Sequence, residues 1–395
     1  MKHFQRLSLL LFALLLVIPS TAAPLSEEAK ISLLTCSPGQ DLYAVFGHSA
    51  FRVNDPINGI DKTYNYGTFE FNTPNFYLKF IRGKLLYKLG IGKQDRFIRS
   101  YIVEERSVIE EVLDLSEEQK QQVYTFLEEN LKPENRYYQY DFFFDNCATR
   151  VRDVLQNVLK DSLQFVAPSG IEGETYRDLI QPYIQHSPWV DFGIDLALGL
   201  PTDEEGGASG RMFLPDHLST GFQGGKLFDG SGQSRPLIKN TRVLYKALPQ
   251  EELTSNWLSP KVLFWGIAMA FLLLTLLVKN KKITNSLDLI LYLVVGITGL
   301  ILFFLMFGTE HQATARNLNI LWANPLCLLL IGGLWKTSPS QFYKSLLYFL
   351  LALNLLVLAM FWWFPQALHF AVIPILLILI LRMVARRLDW TKDIS

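Results

Sequence analysis

Five apolar runs occupy the last third of the chain, at 262–278, 289–307, 318–335, 344–364 and 367–384. A bilayer's hydrocarbon core is about 30 Å thick, and a helix needs about 20 apolar residues to cross it. Backbone polar groups in hydrocarbon must pair within their own segment, so runs of this length fold as helices. The sequence therefore predicts an all-α bundle of five transmembrane helices over 258–395. Basic residues set its direction. Lys279, Lys281 and Lys282 follow the first run, Lys336 and Lys344 lie between the third and fourth, and Arg382, Arg386, Arg387 and Lys392 close the chain. The opposite connections hold Lys261 and Arg316. This asymmetry predicts a cytoplasmic C-terminus and places everything before the first run outside the cytoplasm. Trp322, Trp362 and Trp363 are expected at the outer interface, and Trp335 and Trp390 at the inner one.

The N-terminus agrees with that direction. Lys2 and Arg6 precede a short apolar run, Leu7 to Pro19, and Ser20-Thr-Ala-Ala23 follows. This is the pattern of a secretory signal peptide over 1–22, cut after Ala22, with an uncleaved anchor as the alternative. Residues 23–257 then form an exported domain, long enough for a sizeable core. The 37 basic and 37 acidic side chains cancel, which leaves no electrostatic footprint for nucleic acid. Three cysteines without a C-x-x-C pair argue against a disulfide scaffold and a structural zinc site.

Within the exported domain, apolar residues recur at strand spacing over 42–53, 63–71, 84–89 and 108–113. Ser116-Glu-Glu-Gln119 is a capping box and predicts a helix to about Leu131. The stretch 137–144 is aromatic and expected to be extended. Asp145-Asn146 is an N-cap signal for a helix over 147–159, and 175–185 is a further helix. Strands followed by helices predict an α+β domain. The Gly/Ser/Pro-rich region 202–236 is expected to be mostly loop.

Cys147 opens the 147–159 helix, where unpaired N–H groups and the helix dipole stabilise a thiolate. That makes it a candidate nucleophile, weighed evenly against a buried structural cysteine. His48 sits in an alternating stretch beside Gly47 and could exchange a proton with a thiol. The alternative is a core histidine bound to a carbonyl. His186 and His217, the other exported histidines, fall in Pro-rich loop sequence and are weaker candidates.

A histidine on an early strand, further strands, a helix and then Asn-Cys at a helix start resembles the permuted papain-like superfamily that includes NlpC-type hydrolases. More closely, Cys36-Ser-Pro-Gly-Gln-Asp-Leu-Tyr43, Phe46-Gly-His-Ser-Ala-Phe-Arg-Val53, Asn65-Tyr-Gly67, Tyr140 to Asp153 and Asp191 to Gly199 resemble the Bacteroidota family Lnb, N-terminal periplasmic domain. Glu310 to Thr314 and Asn317 to Pro325 resemble the same family's loop before its third span. The resemblance implies lipoprotein N-acylation, in which a fatty acyl chain moves from phospholipid to the α-amine of a diacylated lipoprotein. It implies Cys147 as nucleophile, His48 as base and a polar third residue that orients the imidazole. Asn65 is the expected third residue and Asp55 the second choice. Tyr43, Asp145 and Asn146 are expected in support. No cofactor and no metal is expected. The expected setting is the bacterial inner membrane.

Five spans suggest a substrate that lives in the bilayer. The loop 308–319 would then lie at the outer surface with His311 and Asn317 in supporting roles, joined more weakly by His369 and Asn354. Two other readings compete. One is a periplasmic cysteine hydrolase acting on a cell-wall peptide or lipid ester. The other is a non-enzymatic membrane protein that binds lipid. Cys36 is expected to pack in the core rather than pair with Cys147, and Cys327 to be inert within a span.

Overall fold

The computed structural model describes residues 23–392, apart from 42, 71, 230 and 249–256. The expected signal peptide, 1–22, lies outside these residues.

The N-terminal domain is built on an antiparallel sheet. Its strands are β1 (Lys30–Cys36), β2 (His48–Asp55), β3 (Ile60–Thr68), β4 (Leu86–Lys93), β5 (Val108–Leu113) and β6 (Tyr137–Gln139). Three short strands, β7 (Leu163–Gln164), β8 (Lys226–Phe228) and β9 (Ser234–Pro236), form a second small sheet. The last strand, β10 (Ile238–Tyr245), joins the large sheet, whose order is β10-β5-β1-β2-β3-β4-β6. β1 and β2 pair from Lys30 opposite Asn54 to Cys36 opposite His48.

Helices cover this sheet on both faces. Ile31, Leu33, Phe51 and Val53 pack against the helices Glu117–Asn130 and Cys147–Leu159 through Val123, Leu127, Val151 and Leu155. Cys36 and Val108 pack on the other face against Tyr101 of the helix Gln94–Val103. The Ser116 capping box is present, its hydroxyl accepting from the Gln119 N–H. β1 was not expected as a strand, because it is buried along nearly its whole length and shows no alternation. Residues 202–236 hold more order than expected, including a helix, Pro215–Gln223, that packs Leu218 and Phe222 into the core.

Three C-terminal helices are long and apolar enough to cross a membrane, Pro260–Leu277, Lys281–Phe307 and Gln341–Ala359. The run 318–335, expected as a continuous helix, is broken into a turn Leu318–Leu321, a short helix Cys327–Leu330 and a turn Ile331–Gly333. Polar groups break it: Asn317 Oδ1 accepts from Asn319 N, Asn324 Oδ1 accepts from Leu326 N, and Pro325 has no N–H to give. The broken segment lies against Gly296 and Gly299, where a Cβ would come within 2.6 Å of Leu328 and 2.3 Å of the Ala323 carbonyl. Small residues let it pack so closely.

The final helix, Val372–Lys392, starts and ends later than the expected 367–384. Its arginines turn inward. Arg382 and Arg386 both hold the fully buried Asp288, with Arg382 Nε 2.6 Å and Arg386 Nε 3.0 Å from its carboxylate. Trp322 and Trp390, expected at interfaces, are buried in the bundle, and Trp322 donates to Asn319 Oδ1 at 2.8 Å. Trp335, Trp362 and Trp363 are exposed.

The two parts are joined along a seam. Gly199 N donates to the Ala313 carbonyl at 2.8 Å, and a Cβ on Gly199 would lie 2.0 Å from the Ala315 carbonyl oxygen. Asn317 Nδ2 donates to the carbonyls of Leu196 and Ala197 at 2.8 and 3.0 Å. Gln366 Nε2 donates to the Leu198 carbonyl at 3.0 Å. The loops after Phe307 and after Ala359 therefore both face the N-terminal domain.

Candidate active site

Cys147 is the first residue of its helix, and the turn before it is built to hold it there. Asp141 Oδ1 accepts from the N–H groups of Phe143 and Phe144, which folds the chain back sharply. Asn146 then caps the helix, with Oδ1 accepting from Ala148 N and Thr149 N. Its Nδ2 donates to the carbonyls of Phe142 and Phe213 at 2.7 and 2.8 Å. Asn146 is thus fully engaged as a support. Asp145, next to it, points the other way into an ion pair with Arg150, whose guanidinium lies over the Tyr138 ring. The expected extended run 137–144 is a strand only to Gln139, because this turn follows it.

His48 begins β2, directly after Gly47. Gly47 has φ +78°, and a Cβ there would lie 2.8 Å from the Cys36 carbonyl oxygen. Glycine is the residue that takes this conformation without strain. His48 Nε2 lies 2.6 Å from Asn65 Oδ1 on β3, and the ring shares one cavity with the Cys147 thiol, which influences its charge. With Nε2 occupied by Asn65, Nδ1 is the ring atom left to face the sulfur. Asp55, the second choice for the third residue, lies at the far end of β2 and accepts from Ser26 and Asn58. His186 and His217 do not line the cavity that holds Cys147.

Burial alone would raise the Cys147 thiol. The facing His48 imidazole, with the N–H groups of Ser49 and Ala148, outweighs burial and holds the thiol below its ordinary value. Burial likewise works against a charged His48, yet Cys147 and Asn65 raise it above the usual histidine range. Each group is thus the main favourable influence on the other. Cys36 shows the contrast: buried in the core without such a partner, its thiol is pushed up to about 12. Cys36, Cys147 and Cys327 are all free thiols.

A cavity of about 570 Å³ opens over Cys147 and His48. Its walls are mainly aromatic. Tyr140 stacks on Tyr87 with ring centroids 4.4 Å apart, and Phe46, Phe142 and Phe213 close another side. Gly67, at φ +87°, comes close to the Cys147 side chain. Tyr43 stands at the rim, exposed, with its hydroxyl on Asp41 at 2.9 Å. His311 also lines the cavity, and its Nε2 meets the Ile81 carbonyl at 3.1 Å. The structure thus brings Cys147, His48, Asn65, Tyr43, Asn146 and His311 together. Asn317 lies in the seam instead, buried beneath Leu196 and Ala197, and Asp145 faces Arg150. The aromatic wall residues and the Ser49 N–H were not anticipated. Tyr140 and Phe142 flank the cysteine in sequence and could have been suspected; Tyr87 and Phe213 carry no local signal.

Asp191, Asp195 and His369 gather at the seam, with ligand atoms within 4.8 Å of one another. Each has another partner. His369 Nδ1 accepts from Ala371 N, which leaves the proton on Nε2, 3.6 Å from Asp191. Asp195 is held by Arg177 at 2.8 Å. This is an ion-pair and hydrogen-bond knot between the two parts of the chain.

A periplasmic α+β domain carrying a cysteine, a histidine and an asparagine over an aromatic cavity, seated on a membrane domain, defines the class of protein. Residues 21–182 match the Lnb N-terminal periplasmic domain, and residues 251–393 match the Lnb transmembrane domain. The chain belongs to the Lnb family. No curated protein and no solved structure matches it.

Proposed function

We propose that the protein is a membrane-bound thiol acyltransferase that N-acylates lipoproteins from a phospholipid donor. One observation carries the reading: the paired Cys147 and His48 lie in an apolar cavity whose wall is completed by His311, four residues beyond the membrane helix ending at Phe307. A catalyst placed there meets an acyl chain at the membrane surface. A peptide hydrolase working away from the bilayer would want a polar groove instead.

The chemistry divides into two half-reactions. The Cys147 thiolate attacks the ester carbonyl of the lipid; a C–S bond forms and the C–O bond breaks. The His48 imidazolium gives its proton to the leaving lysophospholipid oxygen. The neutral α-amine of a diacylglyceryl-cysteine then attacks the thioester; a C–N bond forms, the C–S bond breaks, and His48 takes the amine proton. Asn65 keeps the imidazole aimed throughout. The aromatic walls exclude water while the thioester waits.

A cysteine at the start of a helix packed on an antiparallel sheet, with histidine and asparagine on neighbouring strands, supports a permuted papain-like fold for this domain. We read the membrane domain as five crossings, the third being the broken segment 318–335 and the fifth the helix Val372–Lys392. In this reading the C-terminus is cytoplasmic, the membrane is the bacterial inner membrane, and 1–22 is a cleaved signal peptide. Intact-mass analysis of purified protein incubated with phospholipid alone tests the function. An acyl adduct on Cys147, discharged by a diacylated lipopeptide, is expected. Full N-acylation by Cys147→Ser would overturn it.

A further inference from the structure

The connection between β3 and β4 carries a helix, Phe76–Ile81, that buries none of its six residues. Tyr77 is 77% exposed, Leu78 55%, Phe80 51% and Ile81 49%. Domains that work in water rarely leave so many neighbouring apolar side chains uncovered, and a patch of this kind marks a binding surface. The position of the helix says what covers it. The His311 ring is bound to the Ile81 carbonyl, and Glu310 N donates to the Arg82 carbonyl at 2.9 Å. His311 follows the end of the membrane helix at Phe307 by four residues, a stretch of chain that spans at most about 14 Å. The exposed helix is therefore tied to the level at which a membrane helix leaves the hydrocarbon.

Its composition suits that level. Aromatic rings sit at headgroup depth, and Lys79 and Arg82 can reach lipid phosphates while their stems stay in the apolar layer. Trp362 and Trp363, exposed on the second loop that faces the N-terminal domain, mark the same level elsewhere.

We propose that Phe76–Ile81 is an interfacial anchor that lies in the outer leaflet of the bilayer the chain spans, at the mouth of the Cys147 cavity. Phe80 and Gly83 line that cavity, so the anchor's inner edge is also the cavity's wall. A lipid acyl chain can pass from the leaflet into the cavity beside Phe80 without crossing water. The anchor itself needs no catalytic reading; the acyl passage rests on the function proposed above.

The test uses the full chain in lipid nanodiscs, in the Cys147→Ser background, since Cys36 and Cys327 are buried. Leu78→Cys carries a small environment-sensitive fluorophore. Ile57→Cys, exposed on the turn at the opposite end of β2 from His48, is the control. The Leu78 label should shift to the blue and lose intensity in lipids brominated near the top of the acyl chain; the Ile57 label should do neither. Equal behaviour of the two labels would overturn the anchor. A second experiment restores Cys147. The Tyr77→Asp/Leu78→Asp variant should lose Cys147 acylation from bilayer lipid while iodoacetamide still alkylates Cys147 at the wild-type rate. Unchanged acylation in that variant would overturn the acyl passage. A quenched Leu78 label in a protein whose Cys147 never becomes acylated would keep the anchor and discard the acyltransferase reading.

Discussion

Asn65 Oδ1 lies 2.6 Å from His48 Nε2, across the pair of strands β2 and β3. Phe51 opposes Tyr64 in that pair, so the histidine stands three residues before one anchor of the register and the asparagine one residue after the other. Sheet register thus fixes the imidazole's tilt, and the ring's other nitrogen is left for Cys147.

Asn65→Ala should therefore slow Cys147 acylation without unfolding the domain. A hydrogen bond to a charged group contributes about 1.5–3 kcal/mol, which is roughly ten- to a hundredfold in rate. Single-turnover acylation followed by mass spectrometry reads it. An unchanged rate would remove Asn65 from the site.

Alkylation of Cys147 should depend on His48 with a definite sign. With His48 present the thiol is held below its ordinary value, so iodoacetamide should react at pH values where a free thiol is mostly protonated. In His48→Ala the opposing charge is gone while burial and the Ser49 and Ala148 N–H groups remain, so the inflection should move to higher pH. Cys36, pushed up to about 12, is the internal control and should stay unreactive in both proteins.

The seam should fail at one glycine and tolerate change at another. Gly199→Ala would place its Cβ 2.0 Å from the Ala315 carbonyl oxygen, whereas a Cβ on Gly193 meets nothing within 4 Å. Forced overpacking costs about 1–3 kcal/mol. Thermal unfolding in detergent should show a clear drop for Gly199→Ala and a much smaller one for Gly193→Ala.

Reporter fusions should separate the loops. Fusions at Lys281 and Lys336 should report cytoplasm, and those at Gln312 and Gln366 periplasm. The structure adds a motive to the basic-residue asymmetry, because Gln366 and Ala313 both bond to the N-terminal domain. A periplasmic signal at Lys281 would separate His311 from Cys147.

His311→Ala should leave the fold intact and reduce the acylation rate, with alkylation of Cys147 unchanged. Loss of alkylation would instead mean that His311 shapes the thiol itself.

Local signals carried much of this architecture. Ser116 to Gln119 is a capping box in sequence and in structure, and Asn146-Cys147 marks a helix start with nothing else required. Cys147 and His48 could be singled out because few exported residues have their chemistry. The misses have physical causes. β1 is covered on both faces, so Ile31, Leu33, Leu34 and Cys36 read as an apolar run without strand alternation. The run 318–335 has a span's length and composition, but its breaks depend on Asn317 and Asn324 turning their side chains to nearby backbone, and on glycines of another helix. Asn317 looked like a surface group because its loop is polar; its partners, the carbonyls of Leu196 and Ala197, lie more than a hundred positions away. Contacts of that kind leave no local trace.

The Gly199 seam and the placement of His311 bear on interchangeability as well as on stability. A domain that only tethers can be exchanged for any other anchor, and its sequence can drift freely. Here the last wall of the cavity comes from the membrane half, and the backbone of each half is paired with the other. A fragment ending before Pro260 would lack His311 and expose unpaired amides and carbonyls along 196–199. A change on either side of the seam therefore bears on both halves, and a chimera pairing this first half with a foreign anchor should be poorly stable and open on one side.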